Sequence, residues 1–365
     1  MYEIKEQYIA PDLVEFFAVS KNKSNLLEFL CEEWSANEDL KASLGNVKLY
    51  LGGGFREETR SVVITREFVE QVPELESTQT EADTRIILHS IFAFKSENVS
   101  NVVIHAVDTD VVVICIYYAA TLLKELPGLW VRTEKGVFLP IHLMASALGV
   151  DTCRALPFLH SLSGRDTTSY PFFTGKKAWF SASKDVNLSE LQSFGENPVN
   201  YLTDKLKDQA KALAVAVYTS KADHKVDFDL PSLRVYKFLN NRSTLLKLLP
   251  PTEEAFVQHL KRAALATLID KNAHVAKPKL PKFNEYGWTL SDEKALACPS
   301  TKPAWPKEMP KALSCICTKG CVKNCPCARR KRSCYKGCRC QGLKKRCMRM
   351  IAYIKDNEDS DSSTE

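Results

Sequence analysis

The chain has 365 residues, of which 45% are hydrophobic and 26% are charged, with 14 Gly and 17 Pro. This is the composition of a globular protein, and the length suits one large or two smaller domains. The longest apolar run, at 111–120, is about half of the roughly 20 residues that a membrane span requires. The first residues also lack the basic-then-apolar pattern of a secretory signal. We therefore expect an intracellular protein without a membrane partner.

Positive charge is concentrated near the C-terminal end of the sequence. The formal net charge is +6, and residues 311–355 contain 14 Lys and Arg but no Asp or Glu. Residues 356–365 hold five acids, while residues 1–310 carry a net charge of −3. A strongly basic block on an otherwise nearly neutral chain is typical of a protein that contacts a polyanion.

Hydrophobic patterns predict alternating strands and helices over the first half of the chain. In chain order, we expect a helix at 24–37, strands at 47–51 and 61–65, a helix at 80–94, an apolar strand at 101–107, a helix at 111–123, a strand or hairpin at 129–139, and helices at 141–148, 151–162, 177–181, 198–219 and 252–270. Such alternation is typical of an α/β domain with a mostly parallel sheet. The apolar run at 101–107 favours a strand that is covered on both faces.

Composition divides the chain into six segments. They are an N-terminal helical segment (1–44), an α/β domain (45–185), a helical extension (186–276), a tether rich in Pro and aromatic residues (277–310), a cysteine-rich module (311–350) and an acidic tail (351–365). We expect the tether to be irregular, and the acidic, Ser-rich tail to be disordered.

Nine of the 13 cysteines are clustered in the cysteine-rich module. They are Cys315, Cys317, Cys321, Cys325, Cys327, Cys334, Cys338, Cys340 and Cys347. An odd number of cysteines cannot all form disulfides within one chain, and an intracellular location favours reduced thiols. Because zinc takes four thiolates, nine can serve three Zn²⁺ if three sulfurs bridge. A loose zinc buffer, or two separate zinc sites with a spare cysteine, are the alternatives.

Basic residues alternate with these cysteines. The candidate DNA-binding residues are Lys323, Arg329, Arg330, Lys331, Arg332, Lys336, Arg339, Lys344, Lys345 and Arg346. With nine thiolates and three Zn²⁺, residues 311–355 keep a net charge of about +11. This charge density predicts binding to the phosphate backbone of DNA, and hence a location in the nucleus. Charge that only compensates the thiolates is the alternative interpretation.

The cysteine spacing resembles that of the Tesmin-type CXC domain, whose members bind three zinc ions through nine cysteines and contact DNA. The similarity covers about 33 residues and is specific in the first eight cysteines. Six residues separate Cys340 from Cys347, whereas the family has about two residues before its last cysteine. Asn324 occupies the position where members that read DNA often carry Tyr. The resemblance therefore implies contact with the DNA backbone rather than sequence readout.

Acidic residues in the α/β domain form a second candidate site. Glu81 and Asp83 open a predicted helix, Asp108 and Asp110 follow the apolar strand, and Asp166 follows Gly164-Arg165. Two carboxylates held side by side repel each other unless a cation lies between them, so a hard metal such as Mg²⁺ or Mn²⁺ is the expected occupant. Helix capping, a turn, or an ion pair with a nearby arginine would each explain one of these acids without a metal.

In this order, the acidic motifs resemble the flap-structure nuclease branch of the PIN-like fold. In that fold, acids from separate elements bind divalent metals for phosphodiester hydrolysis, and the resemblance assigns this catalytic role to Glu81, Asp83, Asp108, Asp110 and Asp166. Residues 1–45 offer no counterpart of the acid that ends the first PIN-like strand, and Arg165 lies within the third motif. The resemblance therefore implies a degenerate nuclease-like body. An active, divalent-metal-dependent DNA endonuclease targeted by the CXC module is the alternative.

Longer segments extend this resemblance over most of the chain. The chain resembles an uncharacterised animal family that joins a PIN-like body to a CXC tail and has features of mobile-element origin. The resemblance lies in residues 81–85, 108–110 and 160–168 and in the cysteine-rich tail. Residues 174–178 are similar to the start of the helical hairpin with which such nucleases hold duplex DNA. The implied architecture is a mostly parallel PIN-like sheet with helices on both faces, a helical extension and a small irregular zinc-cluster module.

Overall fold

The computed structural model describes residues 12–171, 174–196, 202–219, 228–240, 248–291, 294–302, 315–317, 321, 325–329, 334 and 338–340. These residues form the mixed α/β fold that the sequence predicts. They divide into two compact units that do not follow chain order. The first unit takes the described residues within 1–157, 194–198 and 267–281, and the second unit takes the others.

The first unit combines helices with two small sheets. Its helices in the described ranges are α1 (Leu13–Ala18), α2 (Ser20–Ala36), α3 (Glu38–Leu44), α4 (Ala82–Ser96), α5 (Thr109–Ala119), α6 (Ile141–Leu148) and the start of α7 (Val150–Ser163). Its strands are β1 (Leu49–Gly52), β2 (Ser61–Ile64), β3 (Val69–Gln71), β4 (Asn101–His105), β5 (Gly128–Arg132) and β6 (Phe138–Pro140). A short 3₁₀ helix, Pro73–Leu75, follows β3.

Parallel pairing is limited, among the described strands, to β4 and β5. The order β1-β2-β3 is antiparallel throughout, and β6 is antiparallel to β5. The strand β4 lies at the edge of its described sheet, where Ile104 is buried but Val103 is 55% exposed. The prediction of a strand covered on both faces was wrong, because Val103 and His105, on one face of β4, are exposed.

The core of the first unit is built around α5. Val111, Ile114, Cys115 and Tyr118 of this helix are buried among residues of α4, β5 and α6. The segment is rich in β-branched residues, which lower helix propensity by tenths of a kcal/mol each. Burial of a single Val or Ile contributes about 1.5–3 kcal/mol, so packing decides the conformation.

The turn between β1 and β2 requires glycine. Gly53 has a φ of +72°, and a Cβ at this position would overlap the guanidinium of Arg85. Nε of Arg85 donates a hydrogen bond to the carbonyl of Gln79 at 2.6 Å, and Nη2 donates to the carbonyl of Ser77 at 3.1 Å. The Gly52–Gly54 run thus carries the chain out of β1 into the turn.

The second unit is mainly helical in the described ranges. It contains the end of α7, then α8 (Lys176–Ala182), α9 (Ser189–Ser193), α10 (Asp204–Tyr218), α11 (Leu230–Asn240), most of α12 (Glu253–Lys271), the hairpin strands β7 (Trp288–Ser291) and β8 (Lys294–Ala297), and α13 (Pro326–Arg329). Two 3₁₀ helices, Ser183–Asp185 and Phe283–Glu285, complete it. The β7–β8 hairpin lies in the predicted tether, where the sequence indicated an irregular segment. The predicted acidic tail lies outside the described residues.

Several predicted helices are confirmed to within a few residues, including those at 141–148, 151–162 and 252–270. The helix expected at 198–219 begins later, at Asp204, because the Thr203 hydroxyl caps it by accepting a hydrogen bond from the Leu206 N–H at 3.1 Å. None of the helices in the described part of the chain has the length and apolar character that a membrane crossing requires.

Candidate metal centre

The described cysteines of the C-terminal module are buried together. Seven of them, all except Cys317, are at most 4% exposed, and Cys317 is half-buried. Their neighbours in the cluster are mostly other cysteines. The ninth predicted ligand, Cys347, lies outside the described residues.

The sulfur atoms are spaced as a tetrahedral zinc site requires. Sγ–Sγ distances are 3.7 Å for Cys315 and Cys321, 3.8 Å for Cys315 and Cys334, 3.9 Å for Cys325 and Cys334, and 3.6 Å for Cys327 and Cys338. A Zn–S bond of about 2.3 Å places two sulfurs of a regular tetrahedron about 3.8 Å apart. A disulfide would bring them to about 2.05 Å. The geometry therefore fits shared metal coordination and not disulfide pairing.

The cysteines form three overlapping groups of four, in each of which all Sγ atoms lie within 4.8 Å of one another. The groups are Cys315–Cys317–Cys321–Cys325, Cys315–Cys327–Cys334–Cys338 and Cys315–Cys321–Cys334–Cys340. Cys315 belongs to all three groups, and Cys321 and Cys334 belong to two. The cluster is thus compatible with the zinc-binding, CXC-like module that the sequence predicts.

Backbone hydrogen bonds connect parts of the module that are distant in sequence. The N–H of Arg339 donates to the carbonyl of Cys315 at 2.9 Å, and the N–H of Cys315 donates to Sγ of Cys338 at 3.4 Å. Within α13, the N–H of Arg329 donates to the carbonyl of Cys325 at 2.9 Å. The first two of these bonds join Cys315 to residues 338–339, more than 20 positions later in the chain.

Crowding of the thiols determines their electrostatics. Burial raises the pKa of the Cys315 thiol far above its ordinary value, and hydrogen bonding to Cys327 and Cys338 does the same for Cys334. At Cys325, burial also opposes ionisation, but hydrogen bonds from the backbone N–H groups of Ala328 and Cys327 lower the pKa to about 6. Several adjacent thiolates repel one another, and a divalent cation among them removes that cost.

The cluster also packs against the helical part of the second unit, a contact that the sequence does not predict. Phe238 of α11 and Leu249 are buried against the cysteines, at 1% and 4% exposed. The available sequence signal was the apolar face of α11, where Leu230 and Leu233 are also buried. The apolar pattern indicates that this face of α11 is buried, but it does not identify the segment that packs against it.

Two of the predicted DNA-binding residues lie in the described ranges, and both are exposed. Arg329 ends α13, two positions after the buried Cys327, and Arg339 lies between the buried Cys338 and Cys340. Their positions are therefore fixed by the cysteines around them. The other predicted residues, Lys323, Arg330, Lys331, Arg332, Lys336, Lys344, Lys345 and Arg346, lie outside the described residues.

Four of the predicted acidic site residues lie at the N-termini of two helices of the first unit. Glu81 is the N-cap of α4 and Asp83 lies in its first turn. Asp108 is the N-cap of α5, where its Oδ1 accepts a hydrogen bond from the N–H of Asp110 at 2.8 Å. Negative charge stabilises a helix N-terminus by typically 0.3–1 kcal/mol. Each of these positions therefore has a structural explanation that needs no metal.

The remaining candidate, Asp166, belongs to the second unit and accepts a hydrogen bond from the Tyr170 hydroxyl at 3.2 Å. Among the described residues, the groups of three or more ligand atoms within 4.8 Å of one another consist of cysteines. The hard-metal site of Glu81, Asp83, Asp108, Asp110 and Asp166 stays a prediction.

The motif at 174–178 begins α8, but one of its lysines turns back onto the protein. Nζ of Lys176 lies 3.1 Å from Nδ1 of His160 and donates a hydrogen bond to the carbonyl of Gly164 at 2.7 Å. This ammonium group contributes to the packing of residues 160–164 against α8.

No known protein family matches the chain, and no curated protein or solved structure shows significant similarity to it. The likeness to PIN-like nucleases and to CXC domains therefore rests on the sequence motifs. The structure contains a buried cysteine cluster whose geometry suits zinc.

Proposed function

We propose that this protein binds DNA through a small basic module that zinc holds in shape. The observation that carries the proposal is the cysteine cluster, whose Sγ–Sγ distances of 3.6–3.9 Å match the edge of a ZnS₄ tetrahedron. The exposed Arg329 and Arg339 lie next to buried members of this cluster. Metal coordination and cationic surface thus belong to one structural module.

Three Zn²⁺ fit the three groups of cysteines. Cys315 belongs to three groups, but a bridging sulfur joins two ions. When Cys347 replaces Cys315 in one group, Cys315, Cys321 and Cys334 each bridge two ions. The other six cysteines then bind one ion each, so that nine thiolates give every Zn²⁺ four ligands. This arrangement assigns the bridging role to three named sulfurs.

The charge of the module favours DNA as its partner. Residues 311–355 carry 14 Lys and Arg without an acid, and neutralising phosphates with such residues releases condensed counterions. A zinc buffer needs thiolates but no exposed arginines between them. Contacts with the backbone alone give affinity without sequence readout, and a nuclear location follows from the partner.

The test is the salt dependence of DNA binding by the full-length protein. Anisotropy of a labelled mixed-sequence duplex is measured between about 50 and 200 mM salt, for zinc-loaded protein, chelator-treated protein and chelator-treated protein after zinc is restored. We expect affinity to fall 10³-fold or more for about six phosphate contacts, and to be lost in chelator and regained with zinc. Affinity that is independent of salt, or unchanged by chelation, contradicts the proposal.

A further inference from the structure

The second unit contains a cavity of about 350 Å³ that none of the motifs above predicts. This volume falls within the ~300–1,000 Å³ range of small-molecule sites. Its described lining comes from α8, α10, α11 and α12, from residues 169–171 and 249–251, and from the segment after β8. The described lining includes two arginines and no Asp or Glu.

Arg262 of α12 is a buried cation in this lining. It is 6% exposed, and burial lowers the pKa of its guanidinium. Nη2 donates to the Ser169 hydroxyl at 2.8 Å and Nη1 donates to the carbonyl of Gly287 at 3.2 Å. Both acceptors are neutral, and within the described residues no carboxylate pairs with this guanidinium. Buried charges in proteins are normally paired, and an anionic ligand would supply the missing partner.

His259, one turn before Arg262, also lines the cavity. It is 5% exposed, and Nε2 donates to the carbonyl of Leu162 at 2.8 Å when this nitrogen carries the proton. Burial lowers the pKa of the ring to about 4, so it is neutral near pH 7. In that tautomer Nδ1 is an acceptor, and it has no hydrogen-bond partner among the described residues. This nitrogen is enclosed by protein atoms, so the ring lines the cavity through its other atoms.

A second guanidinium and several rings complete the lining. Arg234 of α11 donates from Nη1 to the carbonyl of Pro250, and burial lowers the pKa of its side chain. Tyr170, Trp179 and Phe256 also line the cavity. Aromatic side chains favour flat apolar groups of a ligand, while two guanidinium groups favour a phosphate.

We propose that this cavity binds a phosphate ester joined to an aromatic ring, the chemistry of a nucleoside monophosphate. Arg262 and Arg234 contact the phosphate, and the aromatic rings contact the base. Free nucleotides and the phosphorylated end of a nucleic-acid strand both offer this chemistry. The proposal uses residues outside the cysteine module and is independent of the DNA-binding proposal.

The test is calorimetric titration of the full-length, zinc-loaded protein with deoxyadenosine monophosphate, deoxyadenosine and inorganic phosphate. We expect the nucleotide to bind at least about tenfold more tightly than the nucleoside, because bonds to the guanidinium groups are charge-assisted. Arg262→Gln should weaken nucleotide binding by about tenfold or more. Lys261→Gln, the adjacent charge change outside the cavity lining, should leave it unchanged.

Three results would each overturn the proposal. They are equal affinity for nucleotide and nucleoside, absence of nucleotide binding at millimolar concentration, and wild-type affinity for the nucleotide in Arg262→Gln. If Arg262→Gln does not fold, the three ligands on the wild-type protein and the Arg234→Gln variant decide. Short oligonucleotides with and without a 5′-phosphate separate the two sources. Tighter binding of the 5′-phosphorylated oligonucleotide than of deoxyadenosine monophosphate identifies strand ends as the ligand. Tighter binding of deoxyadenosine monophosphate identifies free nucleotides.

Discussion

The Sγ atoms of Cys315 and Cys334 lie 3.8 Å apart, although the two residues are 19 positions apart in the chain. Both sulfurs belong to the same two groups of four cysteines, and Cys315 also belongs to the third. Shared thiolates make the module one cluster rather than a series of separate sites. Loss of a shared sulfur should therefore have larger consequences than loss of an unshared one.

The first prediction compares Cys334→Ser with Cys340→Ser. Because Cys334 belongs to two groups and Cys340 to one, we expect the first variant to lose about two of three zinc ions and the second about one. Native mass spectrometry counts the ions. The control is Cys298→Ser, a half-buried thiol outside the cluster, which should keep the wild-type zinc content. Equal losses in the two cluster variants would argue against shared thiolates.

The second prediction concerns the exposed arginines of the module. Arg329→Gln and Arg339→Gln should each lower the slope of log K against log salt by about one, because each removes about one phosphate contact. Fluorescence anisotropy over a salt series provides the slope. Zinc content should remain at the wild-type level, and Lys261→Gln, outside the module, serves as the matched charge control. Unchanged slopes in both arginine variants would place the DNA contact elsewhere.

The third prediction tests the structural role of Asp108. Its side chain caps α5 through the N–H of Asp110, so Asp108→Ala should lower the free energy of unfolding by about 1 kcal/mol. Asp108→Asn should cost only tenths of a kcal/mol, because Asn is an equally good N-cap. Urea denaturation of the two variants measures both values.

The same position distinguishes capping from catalysis. With Asp108→Asn plus Asp110→Asn, incubation with flapped DNA in Mn²⁺ should give the same background as the wild-type protein. Cleavage by the wild type that this double variant abolishes would instead establish the endonuclease alternative, since amides are poor ligands for a catalytic hard metal.

The fourth prediction concerns pH and the buried Lys271. The side chain of Lys271 is fully buried, 3.7 Å from Glu196, and its ammonium lies 5.2 Å from the ring centre of Tyr117. Burial lowers its pKa to about 8 despite the attraction of Glu196. Between about pH 8 and the unfolded value near 10.4, the unfolded state binds more protons than the folded state. The contribution of Lys271 to stability therefore rises with pH in this window.

The Lys271 contribution amounts to at most about 1.4 kcal/mol per pH unit. Urea unfolding of the wild-type protein at several values between pH 8 and 10, compared with Lys271→Met, isolates it. The rise should be missing from Lys271→Met and present in Lys124→Met, which changes an exposed lysine of the same unit. Parallel pH profiles for all three proteins would contradict the burial argument.

The sequence predicted most accurately what depends on residue type and short spacing. The cysteines of the module could be assigned as metal ligands because thiolate chemistry and close spacing suffice for that inference. The long-range contacts were not predictable. Nε2 of Gln79 donates to the carbonyls of Ala273 and Val275 at 3.0 and 2.8 Å, and these partners lie more than 190 positions away. No local pattern indicates such a pairing, which places residues 267–281 in the first unit.

The cavity of the second unit illustrates the same limit. Arg262 and His259 lie in α12, a helix whose charged and apolar residues are not sorted onto clearly separate faces. Their burial depends on contacts with Ser169, Leu162 and Gly287, which come from other parts of the chain. A sequence pattern predicts which helix face is covered, but the segments that cover it decide whether a charge is buried there.

Zinc in the cysteine cluster is the feature on which the proposed function most directly depends. Native mass spectrometry of the full-length protein, purified under reducing conditions with zinc supplied, measures the number of ions bound to each chain. We predict about three Zn²⁺, released together by a strong chelator because the thiolates are shared. A chain that binds no zinc and whose cysteines remain free thiols would contradict the account.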